Sequence, residues 1–176
     1  MSAFQGNTAE GARMTADIKS LSLEDSLAYL SEIESLCRQR GLRLTAPRRE
    51  VLQALLERGK PLSAYDLVAS LSATRRKRVS PPTVYRALSF LVQQGFVLKI
   101  ESKNAYLANL SLNTSADIVL LMCDGCGTAK QCEEPMIGRL IAKDTAPFQF
   151  EVHRKTVEVQ GLCKKCRSQR SEGVWL

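Results

Sequence analysis

Histidine and long apolar runs are scarce in this sequence, and their scarcity excludes several classes of protein. Among 176 residues there is one histidine, His153, so a metal site built from several histidines is excluded. No run of about 18 apolar residues could cross a membrane, and the N-terminus lacks the charged start and apolar stretch of a secretory signal. Neither a glycine-rich phosphate loop nor a nucleophile beside a base indicates an enzyme. We therefore expect a cytoplasmic protein that is not an enzyme and does not bind membranes.

The sequence contains an excess of basic residues. Lys and Arg number 25 against 18 Asp and Glu, which gives a formal net charge of +7. Because basic side chains neutralise phosphates and release condensed counterions, this balance favours a polyanionic partner. A solvated basic surface would give the same totals, so the arrangement of the residues has to decide.

Residues 25 to 110 carry four helix signals followed by a hairpin signal. The predicted helices begin near Ser26, Thr45, Ser63 and Ser80, and glycines end three of them. Two alternating apolar runs around residues 102–104 predict the hairpin. This order is typical of a winged helix-turn-helix, whose last helix lies in the major groove of DNA. Similar orders also occur in proteins that never meet DNA.

The fourth predicted helix has one apolar and one polar face. Its apolar stripe predicts burial, while hydroxyl, guanidinium and amide groups face outward and can reach base edges. The outward residues are Thr83, Arg86, Ser89 and Gln93.

The composition changes after residue 110. Residues 111 to 176 contain a buried-strand run, a second short strand, a helix and an alternating segment, FQFEVHRKTVEVQG, which together predict a small α/β domain. Residues 1 to 24 have no sustained period and predict a flexible arm or a loosely docked helix. We therefore expect an α+β fold: a winged helix-turn-helix domain followed by a small α/β domain.

Four cysteines form two pairs with identical spacing. Two residues separate Cys123 from Cys126 and Cys163 from Cys166, and each pair follows a strand-like segment. This spacing lets both sulfurs of a pair bind one ion, and two pairs complete a tetrahedral thiolate shell that leaves no position for water. The pattern favours structural zinc. A redox pair or a disulfide is the alternative, although neither explains two pairs and the cytosol keeps thiols reduced.

Two cysteines belong to neither pair. Cys37 falls on the apolar face of the first predicted helix, which indicates a buried small hydrophobe. Cys132 is interpreted either as a strand thiol packed in the core or as a ligand of a second metal or a redox-responsive thiol.

Several stretches together carry a family resemblance. LRLTAPRREVLQALL, SAYDL, PPTVYRALSFLVQQGFV, CDGCG and GLCKKC occur in that order. Over residues 26 to 167 the chain resembles the ferric uptake regulator (Fur) family, and within it the zinc uptake regulator branch. The resemblance implies a homodimeric repressor of operator DNA, with possible control of metal homeostasis. It also implies that the α/β domain is a dimerisation domain stabilised by one Zn²⁺ per subunit on the four paired cysteines.

The resemblance also implies which residues contact DNA. Tyr65 and Arg86 match positions that contact bases, and the guanidinium of Arg86 suits bidentate recognition of guanine. Arg48, Thr83 and Tyr85 match positions that hold phosphates, although Tyr85 could equally serve packing.

A second, sensory metal site near the hinge between the domains is implied as well, and here the sequence departs from the family. The aligned positions hold side chains that bind zinc poorly or not at all. They are Leu98, Asn109, Ala116 and Gln131. Either the dimer is fixed in a DNA-competent form without sensory metal, or another signal acts.

Such a signal could be a metal bound through Cys132, Glu133, Asp117 or His153, or the oxidation of Cys132. A different hypothesis is a zinc-stabilised adaptor for protein interactions that has lost DNA binding. The presence of Arg86 on a polar helix face counts against it.

Overall fold

The computed structural model describes residues 13–14, 22–75, 78–111, 117–152 and 155–171. The helices are α1 (Leu23–Gln39), α2 (Ala46–Arg58), α3 (Ala64–Arg75), α4 (Pro81–Gln93), α5 (Pro135–Thr145) and α6 (Lys164–Ser171). The strands are β1 (Arg13–Met14), β2 (Leu62–Ser63), β3 (Val97–Ile100), β4 (Ala105–Ala108), β5 (Ile118–Cys123), β6 (Ala129–Glu133) and β7 (Val157–Gly161). Short 3₁₀ turns cover Glu101–Lys103 and Ala146–Phe148.

Two separate sheets divide the chain into an N-terminal unit, residues 22–110, and a C-terminal unit, residues 117–171. The first sheet has the order β2–β4–β3, and the β3–β4 hairpin is the predicted wing. The second has the order β1–β6–β5–β7, in which β5 pairs antiparallel with β6 and parallel with β7. The predicted α+β fold, a winged helix-turn-helix followed by a small α/β domain, is confirmed.

Local sequence explains where two of the helices begin. Ser22 and Asp25 form a capping box at the start of α1, each side chain accepting a hydrogen bond from the other's backbone N–H at 3.0 Å. Ser63 and Asp66 repeat the arrangement at α3, at 3.1 and 3.2 Å. Each box satisfies backbone N–H groups that have no partner within the helix. The predicted start of α3 near Ser63 is therefore confirmed.

The predicted caps of α2 and α4 act differently. Thr45 and Ser80 occupy the N-cap positions, but neither side chain makes a capping hydrogen bond. Pro47 and Pro81 lie in the first turns, where a missing N–H costs nothing. The hydroxyl of Ser80 instead lies 2.8 Å from that of Thr83. Proline and backbone geometry therefore set these two starts.

The core of the N-terminal unit lies between α1, α2, α3 and α4. Helix α4 turns its predicted stripe inward, and Cys37 is buried in the same core, as predicted. Leu27, near the start of α1, is 47% exposed and lies outside this core. The fully buried large residues include Leu30, Ile33, Leu52, Leu55, Leu67, Leu88, Leu91 and Phe96. Their packing holds the polar face of α4 outward.

A second apolar cluster joins the two units, and we call it the interdomain seam. It runs from the wing strands into β5 and β6, so both units contribute to one continuous buried surface. Its members are Leu98, Ile100, Leu107, Leu110, Ile118, Leu120, Met122 and Ala129. Because apolar surface on both sides is removed from water together, separating the units would be costly.

A carboxylate of the C-terminal unit holds the tip of the wing. Glu158, on β7, accepts hydrogen bonds from the backbone N–H groups of Glu101 at 2.7 Å and Ser102 at 3.3 Å. Partial burial opposes ionisation, but the hydrogen bonds from Ser102 and Glu101 outweigh it and lower the pKa of Glu158. The wing is therefore docked on the C-terminal sheet at neutral pH.

Two segments differ from the sequence prediction. FQFEVHRKTVEVQG was expected to form alternating strands, yet among its described residues only Val157–Gly161 is a strand. The preceding segment begins with a 3₁₀ turn at Pro147, and Gln149 adopts a left-handed conformation with φ of 51° that interrupts an extended chain. No strand was predicted in the N-terminal arm, but Arg13–Met14 forms β1, which pairs antiparallel with β6. The remainder of the arm, residues 1–12 and 15–21, and His153 lie outside the described residues.

Removing the Glu158 carboxylate should release the wing tip. In Glu158→Ala we expect amide exchange at Glu101 and Ser102 to accelerate roughly 2- to 12-fold, the factor that corresponds to a net hydrogen bond. In the wild type the pKa of Glu158 is lowered. The contact therefore contributes stability above the ordinary carboxyl pKa, and this stability is lost as pH falls through the folded value.

Hydrogen-exchange mass spectrometry or NMR at neutral and acidic pH measures this effect. Glu151→Ala, which removes an exposed carboxylate of the same unit, is the control. Equal exchange in both variants would contradict the docking of the wing tip.

Candidate functional site

The sheet of the C-terminal unit brings the two cysteine pairs together. Cys123 is the last residue of β5, and the adjacent turn supplies Cys126. Strand β7 runs parallel to β5 with Gly161 opposite Cys123, so the chain leaves both strands at the same edge. Cys163 and Cys166 follow there, the latter within α6.

The four sulfurs form one compact cluster. All lie within 4.8 Å of one another, and Cys126 Sγ is 3.8 Å from Cys163 Sγ. A zinc ion with four Zn–S bonds of about 2.3 Å requires sulfurs about 3.8 Å apart. A disulfide would need about 2.05 Å. The predicted ligands Cys123, Cys126, Cys163 and Cys166 are thus brought together in a geometry that suits a tetrahedral ion.

Backbone and side-chain groups prepare two of the thiols to ionise. The backbone N–H of Cys163, 3.3 Å from Cys123 Sγ, lowers the pKa of Cys123 to about 6, together with N–H groups of the turn. Thr128, whose hydroxyl oxygen is 3.2 Å from Cys126 Sγ, lowers the pKa of Cys126. Hydrogen bonding to Cys163 and burial raise the pKa of Cys166 to about 12. A divalent cation among the sulfurs would replace the proton that Cys166 otherwise keeps.

The other candidate metal-binding residues that the structure describes form no such cluster. Among the described residues, the four cysteines are the only group of three or more side chains that could hold a metal ion. Cys132 lies half-buried in β6. Asp117 is paired with Lys155, and Glu133 accepts a hydrogen bond from Ser111. The structure therefore does not assemble Cys132, Asp117 and Glu133 into a second site, and it does not describe His153.

The predicted DNA-contacting residues lie on the outer surface of the N-terminal unit. On α4, Arg86 is exposed and Tyr85 is 53% exposed, so Tyr85 does not serve packing alone. Thr83 lies in the first turn of the same helix. Tyr65 stands in the first turn of α3 and is 81% exposed. Because most of the Tyr65 side chain is exposed, its ring is accessible to a binding partner.

Helix α4, the candidate recognition helix, helps to hold the side chain of Arg48 in place. Its guanidinium lies over the ring of Phe90, 3.4 Å from the centroid, and donates a hydrogen bond of 2.6 Å to the carbonyl of Arg43. These contacts fix a positive charge beside α4. Phe90 was missed in the sequence analysis. An aromatic residue one turn beyond Arg86, next to the polar face, was the signal that could have found it.

Two side-chain amides are buried in the structure. The sequence identified them only as departures from the family pattern. Asn109 and Gln131 are 3% and 2% exposed. Strand alternation places Gln131 on the same face as Ala129, which is also buried, and this pattern could have predicted an inward amide. Buried amides require hydrogen-bond partners.

Six large apolar side chains of the C-terminal unit are exposed. They lie on β5, α5, β7 and the segment after α5: Leu121, Met136, Leu140, Phe148, Phe150 and Val159. Leu121 and Val159 are register partners on the paired strands β5 and β7, so they adjoin on one face of the sheet. Adjoining exposed apolar side chains indicate a surface that another protein covers.

No helix in the described part of the chain has the length and apolar character that crossing a membrane requires.

Known proteins resemble this chain in sequence and in structure. Residues 39–160 match the ferric uptake regulator family. Over 139 residues the chain is 38% identical to the zinc uptake regulation protein of Escherichia coli (strain K12), covering 78% of this chain and 80% of that protein. A structure of a zinc uptake regulator complexed with zinc and DNA superposes with a TM-score of 0.76 at 34% identity, covering 83% of this chain and 97% of that one. For holo XcZur the TM-score is 0.72 at 38% identity, with coverages of 80% and 98%.

A methyl group at Gly125 should disturb the sulfur cluster. A Cβ there would lie 2.9 Å from both Cβ and Sγ of Cys166. We expect Gly125→Ala to weaken metal binding by about 10- to 100-fold, the range found when groups that support metal ligands are altered. Competition between the protein and a chromophoric chelator for Zn²⁺ or Co²⁺ gives the affinity.

Gly161→Ala is the matched control, because nothing lies within 4 Å of a Cβ at that position. Equal metal affinities of the two variants would contradict a close-fitting four-sulfur site.

Proposed function

Because the chain belongs to the ferric uptake regulator family, we propose that it is a homodimeric repressor that binds operator DNA and carries one structural zinc per subunit. The observation that carries the proposal is the outward face of α4, where Arg86 and Tyr85 are exposed beside the fixed guanidinium of Arg48. Members of this family regulate transcription and are not enzymes. A regulator of chromosomal genes acts in the cytoplasm, as expected from the sequence.

Recognition of DNA would begin at the N-terminal half of α4. Inserted in the major groove, this helix would present Arg86 to base edges, where a guanidinium can donate two hydrogen bonds to guanine. Tyr65 would reach the bases from α3. Thr83, Tyr85 and Arg48 would contact phosphates, which set the register of the helix on the duplex. The stacking of Arg48 on Phe90 supports this arrangement, since it holds the charge beside α4 before DNA arrives.

Dimerisation is supported by the exposed apolar side chains of the C-terminal unit. A second copy of the chain would cover Leu121, Met136 and Leu140, which are 41%, 62% and 58% exposed. A two-fold dimer would place two copies of α4 on one side of a duplex and would bind a two-fold operator. The zinc uptake regulator that superposes on this chain was solved with zinc and DNA.

The four-cysteine cluster supports a structural ion and not a sensory one. Four thiolates close the coordination shell, and a closed shell offers no position for exchange with a ligand. Binding energy on the order of 10 kcal/mol would stabilise the C-terminal unit, whose own core is small. The similarity to a zinc uptake regulation protein makes metal homeostasis the function we favour for the regulated genes.

Truncation of Arg86 should weaken DNA binding and broaden base preference. We expect Arg86→Ala to cost about 1–3 kcal/mol toward a duplex selected from random sequence by the wild type. Fluorescence anisotropy at several salt concentrations measures both the affinity and its salt dependence.

Arg38→Ala, which removes an exposed arginine from the last turn of α1, serves as the control for loss of one charge. Wild-type affinity in Arg86→Ala would refute the assigned recognition helix.

Loss of one thiolate should empty the zinc site. In Cys166→Ser we expect less than one zinc per subunit and unfolding of the C-terminal unit, because three ligands cannot supply the binding energy of four. Elemental analysis of reduced protein and circular dichroism on heating are the measurements. Cys132→Ser, outside the cluster, should keep one zinc that resists mild chelation. Full zinc content and unchanged melting of Cys166→Ser would disprove the structural role.

A further inference from the structure

We call residues 108–111, which run from the end of β4 toward the C-terminal unit, the linker. A buried amide fastens it to the C-terminal sheet. Gln131 Nε2 donates to the carbonyl of Ala108 at 2.5 Å, and its Oε1 accepts from the N–H of Leu110 at 3.0 Å. Donor and acceptor of one amide thus bind the main chain on either side of Asn109. The end of the wing is thereby attached to β6.

Asn109 fastens the same linker to α1 and to the residues that follow α4. Its Nδ2 donates to the carbonyl of Gly95 at 2.8 Å, just after α4, and its Oδ1 accepts from the N–H of Ser111 at 3.1 Å. Its backbone N–H donates to the carbonyl of Phe96 at 3.0 Å, and its carbonyl accepts from the hydroxyl of Tyr29 on α1. Ala108, Asn109 and Leu110 are therefore hydrogen-bonded to both units.

These hydrogen bonds are buried, so the loss of a partner would be costly. Both amides are almost wholly buried, and a buried carbonyl or N–H that loses its partner pays the full cost of desolvation. The hydroxyl of Ser111 donates to Glu133, and Leu98 and Leu110 pack against the interdomain seam. Any reorientation of the units would break several of these contacts together.

The same residues do not fit the sensory metal that the family resemblance implies near the hinge. Leu98 has no ligand atom, and the oxygen atoms of the Asn109 and Gln131 side chains already accept hydrogen bonds from the linker. Ala116, the fourth aligned position, lies outside the described residues and has no ligand atom. Carboxamide oxygens are also poor partners for zinc.

We infer that this hydrogen-bonded linker takes the place of a hinge metal, so that Asn109 and Gln131 are positioning residues for DNA binding. They hold the two units in one orientation, and operator affinity does not depend on a second zinc ion. The inference rests on the proposed function, because it concerns how that DNA-binding dimer is regulated.

The first arm of the test measures zinc dependence in the wild-type homodimer. Affinity for the selected duplex is compared in a mild chelator that leaves the cysteine-bound zinc in place and in added free zinc. A metal that couples to DNA binding changes affinity by about 5- to 150-fold. We expect no change. An increase with free zinc would overturn the inference.

The second arm measures amide exchange at Leu110, whose N–H is bonded to Gln131. Gln131→Met keeps the length of the side chain but removes both the donor to the carbonyl of Ala108 and the acceptor for the N–H of Leu110. We expect exchange at Leu110 to accelerate roughly 5- to 150-fold, with weaker duplex binding and unchanged zinc content. Gln39→Met, on the exposed end of α1, should match the wild type.

Asn109→Leu, which removes the donor to Gly95 and the acceptor for the N–H of Ser111, gives a second variant in case Gln131→Met does not fold. It should also accelerate exchange in the linker. Wild-type exchange in these variants would refute the role of the amides. Absence of duplex binding by the wild type in every condition would instead refute the proposed function, while the exchange measurements would still decide the role of the linker.

Discussion

In the proposed regulator, the paired hydrogen bonds of the Gln131 amide are the contact on which the placement of α4, the proposed DNA-reading helix, depends. They attach the linker to β6, and Asn109 continues the path to Gly95, immediately after α4. The interdomain seam surrounds this path with apolar side chains. A low-dielectric environment strengthens satisfied hydrogen bonds and makes unsatisfied ones expensive. Separating the two units would therefore break these hydrogen bonds and expose the apolar cluster at the same time.

The cysteine cluster acts on the same arrangement from the other end of the sheet. It joins the ends of β5 and β7, two parallel strands whose register places Gly161 opposite Cys123. Strand β7 carries Glu158, which holds the wing tip. An ion bound by the four sulfurs would therefore stabilise the docking of the wing as well as the C-terminal unit. In this account zinc supports the position of the wing permanently and does not switch it.

Periodicity and cap residues in the sequence predicted most of the fold and the metal cluster, because those features depend on local spacing. To predict the four-cysteine cluster, it was enough that two strands end at the same edge of the sheet. To predict α4, its apolar stripe was enough. Contacts between distant residues were not predictable in this way. The ring of Phe90 beneath Arg48 depends on how α2 and α4 pack together. The contact of Glu158 with the wing and the hydrogen bonds of Gln131 to the linker depend on how the two units meet. Gln149 also shows why the segment before β7 resisted prediction, since its left-handed conformation overrides the alternating pattern.

The most direct test of this account is small-angle X-ray scattering of the homodimer that carries only its cysteine-bound zinc, before and after addition of excess free zinc. If direct hydrogen bonds fix the units, the two scattering curves should superimpose, with the same radius of gyration and maximum dimension. A more compact or more extended particle after the addition of zinc would show that a metal, and not the linker, sets the orientation of the DNA-reading helices.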